Sequence, residues 1–179
     1  MTSSKDTELD LTVAQAQSAR AGEVLHGAHQ GQGLRVGIAC GKFNGGITTR
    51  LLTAALDALE EAGLAKADIS IAWAPGAFEL PLLAKAYATA PRPYDAVITL
   101  GAVIRGDTGH YDVVAGECAR GVQDVQLATG VPVIFGVLTT DTIEQALVRS
   151  LPDETNKGRE SAHTALEMVN VLRSGSLGA

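Results

Sequence analysis

Apolar positions along the chain fall into four short runs separated by stretches of helical periodicity. Residues 35–40 (RVGIAC), 69–74 (ISIAWA), 95–104 (DAVITLGAVI) and 131–138 (VPVIFGVL) are apolar with few interruptions and rich in β-branched residues. Such runs are expected of strands buried on both faces of a sheet. Between them, apolar residues recur every three or four positions. Ile47, Leu51, Leu52, Ala55, Leu59 and Ala62 lead to a stop at Gly63, Leu80, Leu83, Ala84 and Tyr87 to PRP at 91–93, and Val114, Cys118, Val122 and Val125 to Gly130. A short helix through Val148 and a last one carrying Ala162, Ala165, Leu166, Val169 and Leu172 complete the alternation. Asn44 is expected to cap the first of these helices, Asp141 and Glu144 to form a capping pair before the short one, and Pro81 to sit in a first turn. Strands alternating with helices, without a hairpin signal, predict an α/β fold. It is a three-layer α/β/α sandwich around a four-stranded parallel sheet, flavodoxin-like or Rossmann-like.

Residues 1–21 carry no sustained period and are expected as a flexible N-terminal extension, leaving 22–179 as a single domain. Glycines between 27 and 33 separate a short stretch at 23–29 from the first buried run. A strand there is expected to join a neighbouring subunit's sheet edge. The formal charge of −6, from 14 Lys and Arg against 20 Asp and Glu, offers no basic stripe for nucleic acid. Any phosphate must therefore be held locally. No apolar run approaches the roughly 20 residues of a bilayer span, and the N-terminus lacks an apolar signal segment, so a cytoplasmic protein is expected. Cys40 and Cys118 are expected as buried free thiols.

In open parallel sheets, ligands bind beyond the carboxyl ends of the strands, and the loops there hold the candidate chemistry. Phe43 and Asn44 follow the first run, where an aromatic ring can stack on a planar ligand or pack into the core. Pro75 to Glu79 (PGAFE) follow the second, where helix-start amides are unpaired and Glu79 can accept from hydroxyl or amine donors, or serve only the helix dipole. After the third run, Gly106, Asp107 and Thr108 can form an anion-binding turn of amides plus a hydroxyl. The charge of Asp107 opposes this unless its side chain turns to solvent or pairs with Arg105. His110 falls at the next helix start, where the dipole favours an uncharged imidazole able to take up a proton. Arg149 and Lys157, taken alone, are surface charges, as is His163. His26 and His29 lack the partners of a metal site, so none is expected. The spacing Gly37-x-x-x-Gly41-Lys42 is one residue short of a phosphate loop and lacks its Ser or Thr, which argues against ATP.

Taken together, the blocks GKFN at 41–44, APGAFELP at 74–81, YDAVITLGAVIRGDTGHYD at 94–112, PVIFGVLTTDTIEQALVR at 132–149 and NKG at 156–158 resemble the lumazine synthase family of riboflavin biosynthesis. The resemblance covers about residues 23–173. It implies condensation of 5-amino-6-ribitylaminouracil with 3,4-dihydroxy-2-butanone 4-phosphate, without metal or organic cofactor. It further implies that Phe43 stacks on the pyrimidine, that Ala77, Phe78 and Glu79 bind the ribityl chain and amine, that Asn44 is among the substrate-binding residues, and that Val103 and Ile104 line the heterocycle pocket. Asp107 and Thr108 fall at the phosphate turn, His110 at the proton-transfer residue and Arg149 at the phosphate-binding arginine. Phe135, Arg149 and Lys157 match residues that a neighbouring subunit brings to the pocket. Sites between subunits imply a homo-oligomer, whether pentamers, decamers or a closed icosahedral shell built from pentamers, with riboflavin synthase as a candidate partner. Ala74, Gly45, Gly46 and Asp107 depart from the family's usual residues. A shell-forming or flavin-binding relative with little turnover is the alternative reading.

Overall fold

The computed structural model describes residues 11–177, so residues 1–10 of the expected 1–21 extension lie outside it. Parallel strands β1 (Val36–Gly41), β2 (Ile69–Ala74), β3 (Ala96–Ile104) and β4 (Val133–Thr140) form one sheet in the order β2-β1-β3-β4. The helices are α1 (Leu11–Ser18), α2 (Gly45–Glu61), α3 (Leu80–Ala88), α4 (His110–Thr129), α5 (Ile143–Val148) and α6 (Lys157–Leu172). Helices α2 and α6 pack on one face of the sheet and α3 and α4 on the other, giving the expected three layers.

Period-two alternation sorts the core. Val36, Ile38 and Cys40 of β1, Ile98 and Leu100 of β3 and Ile134 of β4 pack with Leu51, Leu59 and Leu166 under α2 and α6. Ala39, Val97, Val103, Val133 and Val137 face α3 and α4. Burying each large aliphatic side chain contributes about 1.5–3 kcal/mol. Central strands must therefore be apolar on both parities, which is the pattern the chain carries. Gly63 (φ 87°) and Gly130 (φ 71°) take the left-handed conformation that ends α2 and α4. Pro81 sits in the first turn of α3, where its missing N–H has no helical partner to lose. Both thiols are free and buried, and burial pushes each up to about 12, which keeps them protonated and unreactive.

Several expectations need correction. The run at 69–74 does form a strand, but at the sheet edge, with Ile71 40% and Trp73 41% exposed within the chain. An apolar run cannot distinguish an edge from a centre, because that depends on which strands pair. The fourth strand starts two residues late, since Pro132 offers only its carbonyl, to Val97 N. Residues 11–18 form helix α1. Residues 23–30 belong to no strand of the single chain. Instead the segment lies along α6. Asn170 Nδ2 donates to the carbonyls of Ala28 and Gln30, both at 2.9 Å, and a Cβ on Gly27 would lie 2.1 Å from Glu167 O. His163, expected at the surface, is half-buried and stacks on His29 at 4.5 Å between ring centroids. Burial, reinforced by His29 and Arg159, pushes its imidazole below the usual value. The capping pair before α5 is Thr142, whose side chain accepts from Gln145 N, and Gln145, which accepts from Asp141 N. It replaces the Asp141 and Glu144 pair by a shift of one residue.

Candidate active site

Strand order reverses between β1 and β3, and a cleft of about 590 Å³ opens beyond the carboxyl ends of β1, β2 and β3. Its floor is sewn together by backbone: Lys42 N donates to Ala74 O at 2.9 Å and Phe43 N to Pro75 O at 3.1 Å. Asn44 then takes a left-handed conformation, φ 55°, unique among the described non-glycine residues. Its side chain does not cap α2 as expected. Nδ2 donates instead to Ala102 O at 2.9 Å, tying the β1 loop to the end of β3. Asn tolerates this backbone better than most residues, and the sharp turn leaves Phe43 74% exposed in the cleft. Core packing for Phe43 is thereby ruled out within the chain.

On the β2 side, a single 3₁₀ turn at Ala77–Glu79 presents Phe78, 53% exposed, while Ala77 is buried against the second core cluster. Glu79 Oε2 accepts from Gly76 N at 3.1 Å, so the carboxylate both steadies its own loop and faces the cleft. Val103 and Ile104 supply the apolar wall at the end of β3.

Beyond β3, Gly106 and Thr108 line the cleft, whereas Asp107 is exposed and lies outside its lining. The charge objection to an anion turn therefore loses its geometric basis. Arg105 does not pair with Asp107. Its Nε donates to Asp141 at 2.9 Å, its NH2 to Asp112 at 3.2 Å, and its guanidinium carbon lies 3.9 Å from the centre of the Tyr111 ring. These contacts tie the β3 exit, the β4 exit and the first turn of α4 to one another, and the two carboxylates raise the guanidinium further above its ordinary range. His110 is the first residue of α4, with its N–H directed at Thr108 Oγ1 at 3.4 Å.

Tyr111, Val113 and Val114 complete the wall and were not singled out from the sequence. Their signal was present: they occupy the turn directly after His110, and any helix that places His110 at the cleft carries them with it. Among the described lining residues the titratable side chains are Glu79, His110 and Tyr111, with no Lys or Arg.

The cations lie elsewhere. A second depression of about 290 Å³, on the outer edge at β4, is lined by Phe135, Arg149, Lys157 and Glu160 among others and shares no residue with the cleft. Phe135 is 37% exposed on β4. Arg149 NH1 donates to Gln145 O at 3.0 Å, and Lys157 pairs with Glu160. Glu160 also escaped the sequence reading, although its place three residues after Lys157 on one helix is the spacing of such a pair. The expected site residues thus fall into two groups in one chain: Phe43, Asn44, Ala77, Phe78, Glu79, Val103, Ile104, Thr108 and His110 around the cleft, and Phe135, Arg149 and Lys157 around the edge depression.

Among the described residues, no three or more His, Cys, Asp or Glu side chains gather as a metal cage, and no helix is long and apolar enough to cross a membrane. An aromatic and carboxylate cleft at a topological switch point, with helix-start amides and an imidazole, suits a planar polar substrate rather than a dinucleotide. The family model of 6,7-dimethyl-8-ribityllumazine synthase matches residues 33–173 of the 179, spanning every strand, both depressions and helices α2 to α6, and the chain belongs to that family.

Proposed function

We propose that the protein condenses 5-amino-6-ribitylaminouracil with 3,4-dihydroxy-2-butanone 4-phosphate to 6,7-dimethyl-8-ribityllumazine, releasing phosphate and water, in sites shared between two subunits of a homo-oligomer. The observation that carries this is the division of the site residues. The cleft holds the ring-stacking, hydrogen-bonding and proton-transfer groups but no cation, and the cations occupy a separate depression at the open β4 edge. A phosphate substrate is served by both only when a second copy brings its β4 edge to the first copy's cleft.

The roles proposed for the residues are those the family resemblance implies, and their grouping at the cleft and the β4 edge supports them. Phe43 stacks on the pyrimidine, and Glu79 with the amides of Ala77 and Phe78 holds the ribityl hydroxyls and amine. Val103 and Ile104 pack against the heterocycle. The substrate amine attacks the ketone carbonyl directly, so the enzyme needs orientation and proton transfer rather than a covalent nucleophile of its own. His110 carries the proton between the amine and the leaving groups. The amides around Thr108, with Arg149 and Lys157 of the neighbouring copy, bind the phosphate as ligand and stabilise it as it departs.

Mixing the purified protein with both substrates and following lumazine absorbance tests this reading. The expected rate exceeds the uncatalysed condensation by orders of magnitude, and a rate equal to it overturns the proposal. His110→Ala is expected to lower kcat by about 100-fold, the low end of what a positioned proton carrier contributes. An unchanged kcat removes the residue from the mechanism.

Pentamers, and a closed icosahedral shell assembled from them, are the proposed oligomers, supported by the short turn at 150–156, which carries no insertion that would project from the subunit. Residues 23–29 are proposed to reach a neighbour's β2 edge, whose unpaired side and exposed Ile71 and Trp73 suit an added strand. Mass photometry is expected to show a mass at or above five subunits, and a monomer at micromolar concentration overturns both the oligomer and the shared site.

A further inference from the structure

We infer that Asn156 is a positioning residue for the phosphate site: it closes the turn that holds Arg149 and Lys157 side by side. The inference rests on the reading of those two residues as the anion-binding pair. Arg149 ends α5 and Lys157 begins α6, and the two helices are joined by a turn. The turn is closed at its base by Lys157 N donating to Arg149 O at 3.0 Å, which sets the two basic residues next to each other across the chain reversal.

Asn156 makes that closure possible from inside. Its side chain is 1% exposed and uses both ends: Nδ2 donates to Leu151 O at 2.7 Å and Oδ1 accepts from Gly158 N at 2.8 Å. One bond reaches back across the turn to Leu151, two residues beyond Arg149 at the end of α5, and the other caps α6. A buried amide satisfied at both ends is held in a single orientation, because releasing either end leaves an unpaired polar group away from water. The outer part of the turn is shaped separately, by Asp153 Oδ1 accepting from Thr155 N at 2.8 Å and from Thr155 Oγ1 at 2.6 Å. Ser150, also 1% exposed, bonds Leu147 O and anchors the α5 side. The Asn156 bond to Leu151 is therefore the side-chain link between the two arms of the turn. Neither Arg149 nor Lys157 supplies one, since Arg149 bonds within α5 and Lys157 pairs within α6.

The test separates the two bonds. Ser at this position retains a helix cap of strength close to Asn but is too short to reach Leu151. In the assembled protein, Asn156→Ser is expected to weaken inorganic phosphate binding, measured by calorimetry, by about fivefold, the loss attending one hydrogen bond's worth of alignment. The KM for the sugar phosphate rises by the same factor, while kcat at saturation and the KM for the pyrimidine stay near those of the unmodified protein, and the midpoint of denaturation falls only by what one lost buried hydrogen bond costs. Arg149→Ala is measured in parallel. Phosphate affinity lost in Arg149→Ala but unchanged in Asn156→Ser overturns the positioning role alone. Affinity unchanged in both overturns the anion-site reading and the inference with it. A fall in kcat together with a rise in both KM values in Asn156→Ser shows a general structural role and also overturns the inference.

Discussion

Replacing Arg149 with alanine is expected to raise the KM for the sugar phosphate by one to two orders of magnitude while changing the KM for the pyrimidine little. A hydrogen bond to a charged group contributes about 1.5–3 kcal/mol, which corresponds to roughly 10- to 150-fold in affinity. In the free chain the guanidinium spends only NH1 on Gln145 O, which leaves most of its planar fork for a phosphate. Its neighbour Lys157 is already held by Glu160 and is a weaker substitute. Arg149→Lys should recover part of the loss, because a point charge replaces the fork without its bidentate geometry. Initial-rate kinetics with each substrate varied in turn check this, and an unchanged KM for the sugar phosphate in Arg149→Ala refutes the anion-site role.

Gly158→Ala is expected to destabilise the subunit by about 3 kcal/mol or more, the range in which overpacking against backbone falls. A Cβ at this position would lie 1.9 Å from Leu51 O and 2.6 Å from Leu51 C. Both are main-chain atoms in the middle of α2, so no side chain can rotate away. Helix α6 must move off α2, opening the cluster around Leu51, Ala162 and Leu166 and disturbing Asn156 and Lys157 at the helix start. Gly116 in α4 serves as the control, since nothing lies within 4 Å of a Cβ there. Gly116→Ala should be stabilising by up to about 1 kcal/mol from helix propensity. Denaturant unfolding of both variants decides the matter. Equal stability of Gly158→Ala and the unmodified protein contradicts the close approach of the two helices.

Much of the architecture was legible in the chain because central strands and core-facing helices obey periods set by backbone geometry. Val36, Ile38 and Cys40 had to alternate with Gly37 and Ala39 for β1 to be covered on both faces. The role of Gly37 was not legible. Its near match to a phosphate loop has a packing cause, as a Cβ there would lie 2.7 Å from the Tyr87 ring. Polar side chains were the least legible: Asn44 reaches Ala102 rather than its own helix, and Arg105 bypasses Asp107 for Asp112 and Asp141. Hydrogen-bond partners distant in sequence depend on which loops meet, and no local period encodes that.

By itself the sequence determined four strands, the helices between them, the family blocks and the residue types that gather at strand ends, since these follow from local periodicity and from motifs of fixed spacing. The family blocks already implied that one subunit supplies part of the site and its neighbour the rest; only the tertiary structure decided where in the chain each group lies. Phe43, Glu79 and His110 meet at the switch between β1 and β3, whereas Phe135, Arg149 and Lys157 meet at the β4 edge. The physical reason is strand order: β3 lies beside β1 in the sheet and β4 falls to the outside, and hydrogen-bonded pairing between segments some 60 residues apart in the chain sets which strand ends share a cleft.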